Sequence, residues 1–447
     1  MEKKNQFTEG NIMPALIAFA LPVLLALFLQ TMYGAVDLWV VSKYAQPSDV
    51  AAVSTGSWIM QLITTFVVGI AMGTTVLLGR RIGEERRREA GCVMGTSITL
   101  FAVMGVGITL IMELGAPLLA RVMQTPQAAF GATVDYVRIC SAGTLFIVAY
   151  NVLGAVFRGL GDSKMPLLTV FVACVVNITL DLLLVRGFGM AAAGAAIATV
   201  AAQALSVLFS LAVILRRGLP FPFGRGMLRP DMKRMSEILR IGFPVAFQDL
   251  LVSISFLVIT AIVNGLGVVA AAGVGIAEKL CGFIMLVPSS FNQSMAAFVA
   301  QNIGAQKPER AQRALRCGIG LSLLVGVFMA WLSFFHGDVL AGLFAQEGQT
   351  EVLHAAAEYL RAYAIDCMLV SVMFCMIGYF NGCGRTVFVM LQGIIGAFGV
   401  RIPVSFLMSR IEPVSLFRVG LATPCSSCVQ ILLCVGYFIW LRRRELL

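Results

Sequence analysis

The stretch "LIAFALPVLLALFLQ" (residues 16–30) contains no charged side chain, and a similar stretch returns later as "ILRIGFPVAFQDLLV" (238–252). The proline in the first stretch, Pro22, falls on Pro244, an offset of 222 residues. Three further pairs keep nearly the same offset: 77–90 with 298–311, 135–139 with 358–362, and 158–162 with 381–385. Such a steady spacing indicates that the chain is an internal duplication.

The composition is that of a membrane protein. Of the 447 residues, 59% are hydrophobic and only 13% are charged, and the mean hydropathy is +0.90, whereas soluble domains carry about 25% charged residues. A bilayer-spanning helix needs about 20 mostly apolar residues, and a span in hydrocarbon must satisfy its own backbone hydrogen bonds. We predict twelve helical spans: 14–40, 50–79, 92–117, 136–157, 165–185, 190–215, 241–264, 270–300, 317–335, 356–380, 387–409 and 419–441.

The repeat divides these spans into two halves of six. Because six is an even number, both halves have the same orientation, and parallel repeats are a transporter architecture. The predicted fold is therefore an all-α integral membrane protein with two pseudo-symmetric six-helix lobes. We expect an N-terminal lobe at 1–215, a cytoplasmic linker at 216–240 that ends in a short amphipathic helix, and a C-terminal lobe at 241–447. The first apolar run is too long for a signal peptide and is expected to be an uncleaved anchor.

The net charge of +10 does not indicate nucleic-acid binding, because the positive residues follow the membrane topology. With the N-terminus placed in the cytoplasm, 24 of the 33 Lys and Arg residues fall on the cytoplasmic side, beginning with Lys3 and Lys4. This is the positive-inside bias, and it places both termini in the cytoplasm.

Ionisable residues at membrane depth are expensive and indicate function. The first span carries Gln30, Tyr33, Gly34 and Asp37. These residues recur at i, i+3, i+4 and i+7, so they share one face of the helix.

The fifth and sixth spans add polar residues at a similar depth. Asn177 and Asp181 are four residues apart on the fifth span, and Thr199 follows on the sixth. From the rise of about 1.5 Å per residue, these three residues and Asp37 all lie in the outer half of the membrane. Two carboxylates, an amide and a hydroxyl suit a monovalent cation such as Na⁺, and two carboxylates held together can also carry a proton.

The second half of the chain lacks this set. The offsets place Ile259 at the position of Asp37, Val400 at that of Asn177 and Val404 at that of Asp181. This asymmetry favours a dedicated ion site over a hydrogen-bonded structural cluster, which would be expected in both halves. Asp249 and Asp366 lie near predicted span ends and are expected to face water.

Three motifs in combination resemble the multidrug and toxic compound extrusion (MATE) transporters, DinF-like branch. They are "ALPVLLALFLQTMYGAVDLWVV" in the first span, "RGLGDSKMP" followed by "NITLD", and "GAAIAT". The resemblance covers nearly the whole chain. It implies a two-lobe V shape, alternating access, and the exchange of Na⁺ or H⁺ for an organic cation, without a cofactor.

The resemblance also implies roles for particular residues. It implies a cation site at Asp37, Asn177, Asp181 and Thr199 and no other metal. Gln30 matches a residue of the substrate cavity, which we extend to Tyr33 on the same face, and Pro22 matches a proline at which the first helix bends. The NorM-like branch has a further acidic site in the second lobe. The positions of that acidic site correspond to Val252 and Val370 in this chain, so no second cation site is expected.

The predicted protein is a multidrug efflux antiporter for small organic cations or amphipathic drugs. We expect a monomer in a bacterial plasma membrane. One alternative is a flippase for a lipid-linked sugar, which would need cations such as Lys279 and Arg401 to bind pyrophosphate. Others are an integral membrane enzyme and a channel. An enzyme is disfavoured because both histidines of the chain fall in a predicted external loop.

Overall fold

The structure, a computed structural model, describes residues 7–343 and 350–444, and no strand occurs within these ranges. Lys3 and Lys4, which entered the charge distribution above, lie outside them. The α-helices are α1 (Ile12–Tyr44), α2 (Pro47–Gly83), α3 (Arg87–Val122), α4 (Gln127–Ala142), α5 (Thr144–Gly159), α6 (Lys164–Asp181), α7 (Ala191–Arg217), α8 (Met232–Asn264), α9 (Val268–Ile284), α10 (Leu286–Gly304), α11 (Pro308–Phe335), α12 (Gly337–Gly342), α13 (Thr350–Gly382), α14 (Thr386–Ile394), α15 (Ile402–Met408), α16 (Leu416–Gly420) and α17 (Ala422–Arg443). Two π-helical segments, Leu182–Gly187 and Ile395–Arg401, and one 3₁₀ turn, Arg225–Leu228, complete the order.

The described residues contain eleven helical segments that are long and apolar enough to cross a membrane. A twelfth arises if α4 and α5 are taken as one span bent by 55°. The predicted all-α, multi-span membrane fold is therefore confirmed. The predicted number of twelve spans is reached when α4 and α5 are counted together as one span.

The bend between α4 and α5 corrects the fourth predicted span. We predicted one segment at 136–157, but the helices run from Gln127 to Gly159 with a break at Gly143. A Cβ atom at Gly143 would lie 2.3 Å from the Val200 side chain of α7, so α7 packs tightly against the bend. The predicted start was too late because Asp135 lowers the local hydropathy although it lies within α4.

The helices assemble into two compact units. The first unit comprises residues 21–246, and the second comprises residues 1–20 and 247–447. Helix α1 passes from the second unit to the first at Leu21, beside Pro22, and α8 passes from the first to the second at Phe247, three residues after Pro244. The lobes predicted at 1–215 and 241–447 follow the sequence repeat and remain a prediction.

In the second unit, the segment before α1 is bound to the start of α11. The Arg310 guanidinium donates hydrogen bonds of 2.7 to 2.9 Å to the carbonyl oxygens of Phe7, Glu9 and Gly10. The Phe7 ring is buried, with its centroid 4.9 Å from that of Phe19 and 5.0 Å from that of Phe298. These contacts anchor the first turns of α1 within the second unit.

In the first unit, the linker packs on α3. The Phe221 side chain is buried, and the Thr99 hydroxyl donates to the Leu228 carbonyl oxygen at 2.8 Å.

The short amphipathic helix predicted at the end of 216–240 is wrong as a separate element. Those residues form the first turns of the continuous helix α8. The helix begins at Met232 because the Asp231 carboxylate accepts hydrogen bonds from the backbone N–H groups of Lys233 and Arg234. These bonds and the Arg234 guanidinium hold the pKa of Asp231 below its ordinary value.

We expect Gly95→Ala to release the linker from α3. A Cβ atom at Gly95 would lie 2.1 Å from the Met227 carbonyl oxygen, which is backbone and cannot rotate away. Overpacking of this kind costs about 1–3 kcal/mol. Hydrogen–deuterium exchange of residues 218–231 should therefore be roughly tenfold faster than in the wild type. Gly107→Ala is the control, since nothing lies within 4 Å of a Cβ atom there. Unchanged exchange in Gly95→Ala would contradict the docking.

Candidate functional site

The polar face of α1 meets α7 at Asp37. The Asp37 side chain is only 7% exposed, and the Thr199 hydroxyl lies 3.3 Å from its Oδ2 atom. The same hydroxyl lies 3.0 Å from the Ala195 carbonyl oxygen one turn earlier on α7. Thr199 therefore has two acceptors within reach, and it connects the carboxylate of α1 with the backbone of α7.

Helix α6 adds the second carboxylate. Asn177 and Asp181 are buried on α6, and both side chains interact with the Asp37 carboxyl group. Asp181 is the last residue of α6, and the π-helical segment Leu182–Gly187 follows it directly. Single π-helical turns within helices occur frequently at functional sites. The structure thus brings all four predicted cation-site residues together in the first unit.

Small residues allow this convergence. Ala192, Gly194, Ala195 and Ala198 on the first turns of α7 are all buried. A Cβ atom at Gly194 would lie 3.2 Å from the Leu184 Cβ atom, so α7 approaches the π-helical segment closely. Small residues bring helix backbones together in membranes, and here they place Thr199 within reach of Asp37.

The oxygen atoms of this site are poorly satisfied by the rest of the protein. Asp37 Oδ1, Asn177 Oδ1 and both carboxylate oxygens of Asp181 are buried and have no hydrogen-bond partner with good geometry among the described residues. A buried polar atom without a partner costs about 1–3 kcal/mol, and more for a charged group. Hard cations prefer carboxylate and carbonyl oxygens as ligands. The donor set therefore fits a small cation or a proton shared between the carboxylates.

The predicted cavity residues Gln30 and Tyr33 lie further along the same face of α1. The Gln30 amide donates to the Tyr150 hydroxyl of α5 at 3.3 Å. Tyr33 interacts with Asp37 and with the Gln203 amide of α7. These contacts connect the polar face of α1 to both α5 and α7.

The prediction missed two residues of α4 at this site. Tyr136 and Cys140 are buried and lie within electrostatic range of Asp37. The Tyr136 hydroxyl lies 3.0 Å from the Ser57 hydroxyl, and a Cβ atom at Gly56 would lie 2.3 Å from the Tyr136 ring. Their positions depend on the packing of α2 against α4, and no local signal indicates it. Gln203 and Tyr150 were missed as well, although Gln203 follows Thr199 by one helical turn and could have been found.

The second half of the chain contains no such pair of acids at the equivalent positions. Ile259 is buried in an apolar cluster, and Val400 and Val404 are half-buried. The neighbouring Arg401 donates from Nη1 to the Ser255 hydroxyl at 3.1 Å and lies 4.5 Å from the centroid of the Phe256 ring. The equivalent region of the second unit therefore holds a cation in place of the acid pair.

The expectation that Asp366 faces water is wrong. Asp366 lies in the middle of α13, is completely buried, and interacts with Arg401 and Ser427. Asp366 lies ten residues inside the predicted span 356–380, and α13 extends the helix back to Thr350, so this residue is far from either end of the span. Asp249, expected to face water as well, is half-buried on α8.

Pro22 lies inside α1, which continues as a helix on both sides of it. A proline inside a helix removes one backbone hydrogen bond and weakens the helix locally. Pro22 lies next to Leu21, the first residue of α1 that belongs to the first unit.

Comparison with known proteins identifies relatives of the whole chain. The family model MatE matches residues 22–183 and 244–407, two segments that begin 222 residues apart, like the sequence repeat. The chain is 27% identical over 446 residues to the probable multidrug resistance protein YoeA of Bacillus subtilis, covering 98% of this chain and 96% of the relative. It is 25% identical over 417 residues to the probable multidrug resistance protein NorM of Thermotoga maritima, covering 92% and 88%.

Solved structures agree in fold. A structure described as the outward-facing conformation of a multidrug resistance MATE family transporter of the MOP superfamily superimposes with a TM-score of 0.91. The match covers 99% of this chain and 98% of that chain at 21% sequence identity. The two chains therefore share one architecture over their full length.

Proposed function

Because the chain belongs to the MatE family of multidrug transporters, we propose that it exports small organic cations or amphipathic drugs in exchange for Na⁺ or H⁺. Family membership makes it a multi-span transporter rather than an enzyme, and transport by this family needs no cofactor. The resemblance of the sequence to MATE transporters is thus confirmed, and the coupling ion and the cargo are the subject of the proposal.

The observation that carries the proposal is the buried acid pair. Asp37 and Asp181 approach each other beside Asn177 and Thr199, and three of their four carboxylate oxygens have no hydrogen-bond partner with good geometry among the described residues. Two buried carboxylates without a counter-charge are unfavourable. Binding of Na⁺ between them, or of a proton to one of them, removes this cost, so the site stabilises one state of the first unit only when the ion is bound.

Coupling follows from this difference between states. An ion that binds one conformation better shifts the equilibrium towards it, and a cargo that binds the other conformation is released in return. Asp37 is on α1, fifteen residues beyond Pro22. We infer that occupancy of the ion site changes the position of α1, and that Pro22 is where the helix bends.

The cargo is proposed to contact Gln30 and Tyr33. Both residues share the polar face of α1 with Asp37, so a bound drug and a bound ion act on the same helix. Tyr33 lies within electrostatic range of Asp37, so an ion bound at Asp37 can alter the surface that the drug contacts. An aromatic ring and an amide suit a flat organic cation, since cations bind over aromatic faces.

The proposed location is the inner membrane of a bacterium, with both termini in the cytoplasm and the protein as a monomer. The relatives named above are bacterial. The excess of Lys and Arg in alternate loops supports this orientation, and the basic end of α7, Arg216 and Arg217, then lies in the cytoplasm.

The decisive experiment is transport by the purified chain in liposomes. We would load ethidium and impose an inward Na⁺ gradient or a pH gradient separately. One gradient should accelerate ethidium exchange at least tenfold over the rate without a gradient. No acceleration by either gradient, with folded protein, would contradict antiport. Translocation of a lipid-linked sugar under the same conditions would favour the flippase instead.

A further inference from the structure

A file of polar residues continues from the ion site along α7. Thr199, Gln203, Ser206 and Ser210 are spaced by four, three and four residues. At 100° per residue these four side chains fall within one narrow face of the helix. Ser206 and Ser210 are completely buried. We call these four residues the polar file.

The polar file faces α6, the helix that carries Asn177 and Asp181. The Ser210 hydroxyl lies 2.8 Å from the Thr169 hydroxyl of α6, and Thr169 donates in turn to the Met165 carbonyl oxygen at 2.9 Å. Because Ser210 and Ser206 share a face, Ser206 lies on the α6 side as well. The file therefore lies in the interior of the first unit.

Packing alone does not account for this file. Ser and Thr side chains often hydrogen-bond across membrane helices, and Ser210 does so with Thr169. The Ser206 hydroxyl and Gln203 Oε1, in contrast, are buried and have no partner among the described residues. An alanine at position 206 would pack equally well without the cost of an unsatisfied hydroxyl.

The file covers most of the distance to the basic end of the helix. From Thr199 to Ser210 the rise is about 16 Å, and from Ser210 to Arg216 it is about 9 Å. Successive members are one turn apart, with Cβ atoms about 5–6 Å from each other. Their oxygen atoms thus form steps from the ion site towards the end of α7 that we place in the cytoplasm.

We propose that the polar file conducts the coupling ion between the Asp37–Asp181 site and the Arg216 end of α7. The ion thereby moves along α7 inside the first unit, whereas the cargo contacts Gln30 and Tyr33 on α1. Gln203, which interacts with Tyr33, is the file member next to the cargo surface.

Hydroxyl groups both donate and accept, so they can pass a proton in steps or bind a passing Na⁺ through oxygen. For a proton, the carboxyl group gives up H⁺ and remains as a carboxylate, each hydroxyl accepts one proton and releases another, and Gln203 Oε1 holds the proton between Thr199 and Ser206. The last proton leaves to water at the Arg216 end.

This inference rests on the proposed antiport, and the test separates the two. We would measure gradient-driven ethidium exchange and equilibrium ion binding for Ser206→Ala and for Ser206→Cys, which keeps the volume but lacks the hydroxyl oxygen. Both variants should slow exchange at least tenfold while ion affinity stays within twofold of the wild type. A residue that conducts the ion should affect the exchange rate without affecting the ion affinity, whereas a residue with only a structural role should not separate the two quantities.

Ser322→Ala is the matched control. Ser322 is also completely buried with an unpartnered hydroxyl among the described residues, but it lies on α11 in the second unit. It should leave the exchange rate unchanged. Exchange at the wild-type rate in both Ser206 variants, or a tenfold loss of ion affinity in them, would overturn the route and leave antiport standing. A wild type without gradient-driven exchange would overturn antiport, and the route with it.

Discussion

Asp181→Asn is expected to abolish gradient-driven drug exchange, with at least a hundredfold loss of ion affinity. Asp181 is completely buried and interacts with Asp37, so its carboxylate is half of the negative charge available to the ion. A hundredfold loss corresponds to about 2.8 kcal/mol. Asparagine keeps the size of the side chain, so the fold should be retained. The measurement is ion-dependent ethidium exchange in liposomes, together with ion binding to the purified protein.

Two variants make this prediction specific. Asp37→Asn should have a similar effect, and the double variant should be no worse than either single one, because both carboxylates serve one ion. Asp135→Asn is the control, since Asp135 is an exposed acid on α4 of the same unit. Near-normal exchange in Asp181→Asn, or fully additive losses in the double variant, would show that the two acids do not form one ion site.

Arg401→Leu is expected to destabilise the protein by about 1.5–3 kcal/mol, because it removes a charged hydrogen bond to Ser255 and a positive charge that favours the buried Asp366 carboxylate electrostatically. Asp366 is completely buried, Arg401 is 4% exposed, and the two interact within the second unit. The change should appear as a lower temperature of unfolding in detergent, followed by size-exclusion chromatography of heated samples. Adding Asp366→Asn should restore much of the lost stability, since the orphaned charge is then removed.

Arg410→Leu is a matched control for this effect. Arg410 lies 4.5 Å from the centroid of the Phe406 ring, the same distance that separates Arg401 from Phe256, but Arg410 is exposed. Loss of an exposed cation–π contact should cost less than about 1 kcal/mol. If the double variant were as unstable as Arg401→Leu alone, Arg401 would not be the counter-charge of Asp366. The prediction also bears on the flippase alternative, which needs Arg401 free to bind a pyrophosphate.

Much of the fold could be predicted because the relevant physics is local. A chain in hydrocarbon must pair its backbone groups within each segment, so hydropathy alone indicates helical spans. The face formed by Gln30, Tyr33 and Asp37 follows from helical periodicity. The prediction that α1, α6 and α7 converge rested on the estimated depth of their polar residues in the membrane and on the resemblance to a known family. In the structure, Thr199 of α7 lies beside Asp37 of α1.

Other features depend on contacts between distant residues. The bend at Gly143 is associated with Val200, and the position of Tyr136 with Gly56. Neither pair is close in sequence, and neither carries a pattern that hydropathy would detect. The docking of the linker on α3 likewise requires that Gly95 lack a side chain where Met227 approaches, a condition that only the packed structure reveals.

The sequence by itself determined the helical membrane fold through its composition, the duplication through the steady offset near 222 residues, and the polar faces through spacing within each helix. The family followed from the resemblance of three motifs. Only the tertiary structure decided which faces meet. It placed Asp366 in the interior near Arg401, divided α1 between two compact units at Leu21, and aligned Ser210 with Thr169. The physical reason is that a helix defines its own face, whereas the partner of that face is selected by close packing of the whole chain.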